Sequence, residues 1–139
     1  MQISNETIVH TLKTYRNIAV VGISNNAFRP SYGVALAMLN NGYNIIPVNP
    51  KHDIVFDRKC YNSLLEIEEP VEIVNIFRRS EMVMPVIEEA IQVKAKVIWM
   101  QSGIINEQAA NKAEEAGLVV IMNRCIKVEH TVNFDRIRS

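Results

Sequence analysis

Short apolar runs, rich in valine and isoleucine, recur along the chain and are separated by longer stretches of mixed polarity. The runs do not alternate apolar with polar residues, which is typical of parallel strands that are covered on both faces. They predict strands at residues 17–23, 43–50, 71–77, 95–100 and 118–122. Pro47 in the second run favours a position where one backbone amide need not pair, because proline lacks the amide hydrogen.

The stretches between the runs carry helical signals. Ser63 and Glu66 form a Ser-x-x-Glu capping pattern, and Gly42 stands where a helix would end. Pro85 is tolerated only near the first turn of its helix. The polar segment 129–139 predicts a tail or a short docking segment. The predicted helices cover residues 5–13, 31–42, 63–70, 80–94 and 106–117, and residues 52–61 read as irregular with a short extended piece.

Strands that alternate with helices indicate an α/β fold. We expect a Rossmann-like, doubly wound, mainly parallel sheet with helices on both faces, because right-handed crossovers place successive helices that way. The length fits one domain over residues 1–139, with its core at about 14–130. Ligands of such sheets bind beyond the carboxyl ends of the strands. The loops at those ends follow Ile23, Val48, Phe77 and Met100.

Charge narrows the range of partners. Lysine plus arginine and aspartate plus glutamate both total 15, so the net charge is zero and no global field favours nucleic acid or an anionic membrane. No apolar run approaches the roughly 20 residues of a membrane helix, and the N-terminus does not read as a secretory signal. Cys60 and Cys125 are expected to be free thiols, which favours a cytoplasmic protein. Any anion must therefore be held by a local site.

The loop after the first strand, "GISNNAFRPSYG", is the first candidate site. It meets the glycine-rich dinucleotide fingerprint only in part. It does, however, combine a glycine, polar side chains and a cation with the start of a helix, whose free amides attract phosphate. The candidate ligand contacts here are Gly22, Ser24, Asn25, Asn26, Arg29, Pro30 and Ser31. An ordinary polar loop remains the alternative.

The loop after the second strand supplies Asn49, Pro50 and Lys51. A site for NAD usually places a carboxylate here to accept hydrogen bonds from the ribose. A lysine instead favours a phosphorylated ribose, which both NADP and coenzyme A carry. A solvated lysine in a turn is the alternative.

The third loop places Phe77, Arg78 and Arg79 at the end of a buried strand, just before a helix. Guanidinium groups beside a helix N-terminus suit a pyrophosphate, although either arginine could instead face solvent.

The fourth loop gives three further candidates, and a turn without a ligand is the alternative there. These candidates are Gln101, Ser102 and Gly103.

Catalytic and metal-binding patterns are weak. His10, His52 and His130 are scattered, and the spacings of metal ligands, nucleophile elbows and phosphate-binding Gly-Lys-Ser/Thr loops do not occur. Cys60 and Cys125 are read as buried, inert thiols, with a thiolate near Arg124 as the alternative for Cys125. We therefore predict no catalytic residue and no metal site.

Several loops taken together resemble a known family. "VVGIS…RPSYGVA", "IIPVNPK", "VEIVNIFRRSEMV" and the segment from "VIWMQSG" to "IKVEH" resemble the small stand-alone CoA-binding proteins of bacteria, over about residues 14–130. The N-terminal CoA-binding domain of the succinyl-CoA synthetase α subunit is similar. The resemblance implies coenzyme A as the cofactor, held across the strand ends. It implies that the first loop cradles phosphate, that Lys51 lies near the adenosine phosphate, that Phe77 and Arg78 make the third contact, and that Gln101 to Gly103 lie near the pantetheine arm.

The leading interpretation is a protein that binds coenzyme A or an acyl-CoA without chemistry of its own. A partner acyl-CoA enzyme is one context in which it would act. The synthetase carries a phosphorylated histidine in a second domain that this sequence does not match, so binding carries over better than catalysis. Two alternatives stay open. One is an NADP-dependent oxidoreductase, and the other is an interaction domain that has kept the fold without a ligand.

Overall fold

A computed structural model describes residues 3–139 of the chain. That range contains six α-helices, seven strands and two 3-10 turns, and helices or 3-10 turns separate the five longer strands along the chain. The strands are β1 (Asn17–Val21), β2 (Asn44–Val48), β3 (Ile54–Val55), β4 (Arg58–Lys59), β5 (Ile73–Ile76), β6 (Val97–Met100) and β7 (Val119–Met122). The helices are α1 (Asn5–Thr14), α2 (Pro30–Asn40), α3 (Val83–Gln92), α4 (Glu107–Glu115), α5 (Ile126–Val132) and α6 (Phe134–Arg138), and the 3-10 turns are Leu64–Glu66 and Ser80–Met82.

Five strands form one parallel sheet in the order β2-β1-β5-β6-β7. The chain runs from β1 outward to β2 and then returns to the other side of β1 at β5. The switch point of the sheet therefore lies between β1 and β5, where loops leave in opposite directions. This confirms the predicted doubly wound α/β fold. Pro47 is accommodated because β2 lies at the edge of the sheet.

Both faces of the sheet are covered. On one face α3 and α4 pack with the 3-10 turn Leu64–Glu66 over side chains such as Val74 and Ile98. On the other, α1, α2, α5 and α6 cover side chains such as Val20 and Trp99. Successive strand residues point to opposite faces, so an unbroken apolar run serves two cores at once.

Two segments differ from the sequence expectation. The polar segment 129–139, predicted to be a tail or a short docking segment, forms α6 and the second half of α5. His130, Asn133 and Ile137 are buried, as is Ile126 at the start of α5. These positions are spaced by four, three and four residues, which is the spacing of one helix face. The segment therefore docks on the domain and is not a free tail, and its helices were not predicted because two polar residues occupy the buried face. The capped segment after Ser63 forms a single 3-10 turn rather than a helix.

Candidate functional site

A cavity of about 760 Å³ opens at the carboxyl end of the sheet. It lies where the loops after β2, β1, β5 and β6 stand side by side, and we call it the strand-end cleft. Nine of the residues predicted from the sequence line it, namely Gly22, Ser24, Arg29, Pro30, Ser31, Asn49, Lys51, Phe77 and Arg78. Four further residues line it that were not predicted as contacts: His52, Arg79, Met82 and Ile104.

The strand-end cleft is cationic. Arg29, Lys51, Arg78 and Arg79 line it, and none of them forms an ion pair with any residue of the described range 3–139. The residues lining the cleft include no aspartate or glutamate among those described. An anion entering the cleft would therefore meet positive groups that no protein carboxylate has neutralised.

Two serine hydroxyls fix the conformation of the first loop by accepting hydrogen bonds from its backbone N–H groups. The backbone N–H of Ser24 donates to Oγ of Ser31 (3.0 Å), and Oγ of Ser24 accepts from the backbone N–H of Asn26 (3.0 Å). Ser31 is buried in the first turn of α2, which begins at Pro30 and contains no acidic side chain there. The loop is thus fixed with the N-terminal end of α2 facing the cleft, an arrangement that favours anions.

Gly22 permits the close approach of β1 and β5 at the switch point. Its φ is +89°, and a Cβ at this position would overlap the carbonyl oxygen of Phe77 and lie 3.5 Å from Cδ of Arg78. The backbone N–H of Phe77 donates to the carbonyl of Val21 (2.8 Å) and fixes the end of β5 beside the end of β1, whereas the N–H of Gly22 donates to the carbonyl of Val48 (2.8 Å) and fixes β1 beside β2. Only glycine combines this φ with this contact.

Asn49 anchors the second loop. Its Nδ2 donates to the carbonyl of Ile23 (2.8 Å), and its Oδ1 accepts from the backbone N–H of Lys51 (3.0 Å). These two bonds tie the end of β2 to the end of β1 and fix the turn that carries Lys51. Because Asn49 is buried and its side chain is used in this way, it positions Lys51.

Six predicted contacts lie outside the cleft lining: Asn25, Asn26, Pro50, Gln101, Ser102 and Gly103. Asn25 donates to the carbonyl of Ile54, and Asn26 accepts from the N–H of Phe28 within the loop. Gln101 is 4% exposed, and its Oε1 accepts from the N–H of Ile126, at the start of α5 (3.0 Å). Its side chain faces α5 rather than the cleft.

The fourth loop also differs from expectation beyond Gln101. Ser102 lines a different cavity, and the N–H of Gly103 donates to Oδ1 of Asn123 (2.7 Å). Ile104, one residue further on, is the member of this loop that lines the strand-end cleft. Ile104 is apolar, so the sequence gave no reason to single it out beside the polar residues Gln101 to Gly103. Met82 lines the cleft too and was not predicted for the same reason.

The different cavity, of about 490 Å³, lies beside β7, between α4 and α5. Glu107, Glu114 and Glu129 line it, and Arg124 there is 3.6 Å from Glu129. Cys125 also lines it and is half-buried rather than fully buried as predicted. Its carboxylates make this cavity a poor place for a polyanion.

The three groups with shifted pKa values do not line the strand-end cleft, although Sγ of Cys60 donates to the carbonyl of Asn49, which does (3.4 Å). Burial raises the pKa of the Cys60 thiol and of the Tyr43 hydroxyl, and burial lowers the pKa of His130.

Within residues 3–139, no group of three His, Cys, Asp or Glu side chains converges to hold a metal ion. In the same range, no helix is long and apolar enough to cross a membrane.

The fold and the cleft together define a class of protein, a Rossmann-like α/β domain that gathers cations and a helix N-terminus at the switch point of its sheet. Residues 16–131 match the family model described as CoA binding domain. The chain belongs to this family of CoA-binding domains, which confirms the resemblance seen in the sequence.

The chain is similar to proteins of about its own length and to one segment of much longer proteins. The uncharacterized protein YneT of Bacillus subtilis (strain 168) is 46% identical over 129 residues, which are 93% of this chain and 96% of that protein. The ADP-forming acetate–CoA ligase II of Archaeoglobus fulgidus is 30% identical over 101 residues, which are 71% of this chain and 15% of the ligase. A solved structure of a hypothetical protein from Pyrococcus horikoshii OT3 superposes with a TM-score of 0.91 at 40% identity, covering 94% of this chain and 92% of that one.

Proposed function

We propose that this chain binds coenzyme A, free or acylated, in the strand-end cleft. The observation that carries the proposal is that four cations, without ion-pair partners among the described residues, and the N-terminal end of α2 line one cleft, in a chain of the CoA-binding domain family. Coenzyme A carries a pyrophosphate and a phosphate on its adenosine ribose, so it presents anionic groups along one end of an extended molecule. The donor set of the cleft fits such a ligand.

The phosphates have distinct partners in this proposal. The pyrophosphate lies against the first loop and the start of α2, where Arg29 and Arg78 line the cleft. The ribose phosphate lies near Lys51, at the β2 side.

The test is a double-mutant cycle by isothermal titration calorimetry. The parent protein and Lys51→Ala are each titrated with CoA and with dephospho-CoA. We expect the parent protein to bind CoA about 5- to 10-fold tighter than dephospho-CoA, because one charge-assisted contact at an exposed lysine contributes about 1 kcal/mol. Lys51→Ala should bind the two ligands equally.

Lys96→Ala is the matched control. Lys96 is an exposed lysine just before β6, at the amino end of the sheet and therefore opposite the cleft. It should retain the parent preference for CoA. Absence of CoA binding by the parent protein would overturn the proposal, and tight binding of NADPH in its place would favour an oxidoreductase. Equal affinity of the parent protein for CoA and dephospho-CoA would remove only the role of Lys51.

A further inference from the structure

The two edges of the parallel sheet differ in how they are protected. At the β2 edge, main-chain groups that point away from the sheet already have partners. The carbonyl of Ile45 accepts from Nη1 of Arg58 (3.3 Å). The carbonyl of Pro47 accepts from the N–H of Tyr61 (3.0 Å), and Pro47 itself has no N–H. At the β7 edge, no strand of the described residues pairs with the outer side of Val119–Met122, which contains neither proline nor a charged residue. Folded proteins usually protect an edge in one of these ways, so the β7 edge is open to a further strand.

The open edge lies in the cavity beside β7. The N–H of Val119 donates to the carbonyl of Lys96, just before β6 (3.1 Å). Main-chain groups along a strand point alternately to its two sides, so those of Val120 and Met122 point away from β6. Both of these residues line the cavity. An extended segment in the cavity would therefore meet main-chain donors and acceptors that no strand of residues 3–139 uses.

We propose that the β7 edge binds an extended segment of a partner protein in which basic and apolar residues alternate. Side chains of an added strand point alternately to the two faces of the sheet. On one face they meet α4, where Glu107 and Glu114 line the cavity two turns apart and form no ion pair among the described residues. On the other face they meet α5, where Val128 lines the cavity and is 53% exposed. The carboxylate on that side, Glu129, already faces Arg124 at 3.6 Å. One set of positions therefore favours lysine or arginine, and the other favours an apolar residue.

A second copy of this chain fits the edge less well. Antiparallel pairing across a two-fold axis would bring β7 against another β7, whose residues carry no cation. The same axis would place both α4 helices on one face of the joined sheet. Glu107 and Glu114 would then approach the same carboxylates of the second copy, and like charges repel. Charge thus favours a basic partner segment over self-association.

The probe is a fluorescein-labelled heptapeptide in which lysine and valine alternate, and fluorescence anisotropy measures its binding. A second heptapeptide has the same composition with its lysines in one block. We expect the parent protein to bind the alternating peptide about 10-fold tighter, because the block cannot direct its cations to one face and its valines to the other. Met122→Pro removes an outward N–H from the edge, as Pro47 does in β2, and should abolish this preference in a protein that stays folded.

Glu107→Lys/Glu114→Lys reverses the charge of the α4 side without altering β7. It should bind the alternating lysine peptide about 10-fold more weakly and should gain affinity for an alternating glutamate–valine peptide. The matched control is Glu68→Lys/Glu115→Lys, which changes the net charge equally at exposed residues outside the cavity. It should bind as the parent protein does.

Failure of the alternating peptide to bind, or equal binding of the two lysine peptides, would overturn the proposal. So would unchanged binding by Glu107→Lys/Glu114→Lys, which decides the question even if Met122→Pro does not fold. Analytical ultracentrifugation provides a further check. A parent protein that is a dimer, and that Met122→Pro makes monomeric, would assign the edge to a second copy and overturn the proposal as well.

Discussion

At the residue scale, the close packing of the end of β1 against the end of β5 depends on the absence of a Cβ at Gly22. Gly22 has a positive φ, and its Cα faces the carbonyl oxygen of Phe77 too closely for a Cβ. A second glycine, Gly33, lies in α2 with nothing within 4 Å of its own Cβ position. The two positions therefore respond to the same substitution for opposite physical reasons.

We expect Gly22→Ala to destabilise the fold by about 3 kcal/mol, because it adds backbone strain to an overlap with main chain that has little room to move. Gly33→Ala should instead raise the free energy of unfolding by up to about 1 kcal/mol, since alanine is the better helix former. Urea unfolding measures both. A small effect of Gly22→Ala would mean that the carbonyl oxygen of Phe77 lies farther from Gly22 than the structure shows.

Asn75 is a buried polar residue whose side-chain amide has no hydrogen-bond partner among the described residues. It lies in the central strand β5, is 1% exposed, and neither its Nδ2 nor its Oδ1 has a hydrogen-bond partner among the described residues. A buried amide without partners costs about 1–3 kcal/mol. We expect Asn75→Val to stabilise the protein by about 1 kcal/mol in thermal or urea unfolding, because valine removes the polar group and suits a strand. A destabilised variant would indicate that a buried water satisfies the amide.

The sequence predicted which loops meet at one cleft, whereas the side chains that contact a ligand there stay a prediction. Rules for parallel sheets choose the loops at the carboxyl ends, and these loops do meet at the strand-end cleft. They do not say which way a side chain turns. Gln101 looked like a ligand contact, but its side chain binds the start of α5, a helix that the sequence reading had not placed. Met82 and Ile104 line the cleft without any polar signal in the sequence.

At the element scale, the five strands of the parallel sheet were predictable because each lies in a mainly apolar run, whereas the short strands β3 and β4 lie in a segment of mixed polarity. The C-terminal helices were not, since His130 and Asn133 occupy buried positions that are usually apolar. Asn133 is buried because its Oδ1 accepts from Nδ2 of Asn5 (2.9 Å) and its Nδ2 donates to the carbonyl of Glu129 (2.9 Å). A polar residue with both ends paired can lie within a helix interface, and composition alone does not show such pairing.

The docking of α6 gives a prediction at the same scale. Ile137 is 8% exposed, whereas Arg136 forms an exposed ion pair with Glu6 at 2.6 Å. We expect Ile137→Ala to destabilise the protein by about 2 kcal/mol, because it deletes buried apolar groups. Arg136→Ala should change stability by no more than about 0.5 kcal/mol, since exposed pairs are screened by water. Differential scanning calorimetry of the two variants compares them, and a larger loss for Arg136→Ala would reverse this account of α6.

At the scale of the whole molecule, zero net charge conceals a strong separation of charge. Cations that have no ion-pair partner within residues 3–139 line the strand-end cleft, whereas three glutamates and one arginine line the cavity beside β7. The overall balance excluded a general attraction for polyanions, yet it did not exclude a local one. Binding at the cleft should therefore be selective for a ligand with several phosphates in a fixed arrangement.

Stability of the whole fold should depend on pH through His130. The ring is buried and lies edge-on to Tyr43 (centroids 5.6 Å apart) and Phe134 (5.9 Å). Burial lowers its pKa because the imidazolium would lose its hydration, and the guanidinium of Arg16 lowers it further by repulsion. In the unfolded chain the ring takes up a proton below about pH 6.5. The unfolded state therefore binds more protons than the folded state just below that pH, and the free energy of unfolding falls as the solution is acidified.

The contribution of His130 should be complete above about pH 6.5 and should decline below it, until the folded ring also titrates. His130→Leu removes the titrating group, so the decline between pH 7 and pH 5 should be shallower than in the parent protein, whatever the variant's absolute stability. His10→Gln, at an exposed position of α1, should keep the parent profile. Urea unfolding at several pH values measures the slopes. Parallel profiles for the parent protein and His130→Leu would show that burial of this ring does not govern the acid sensitivity of the fold.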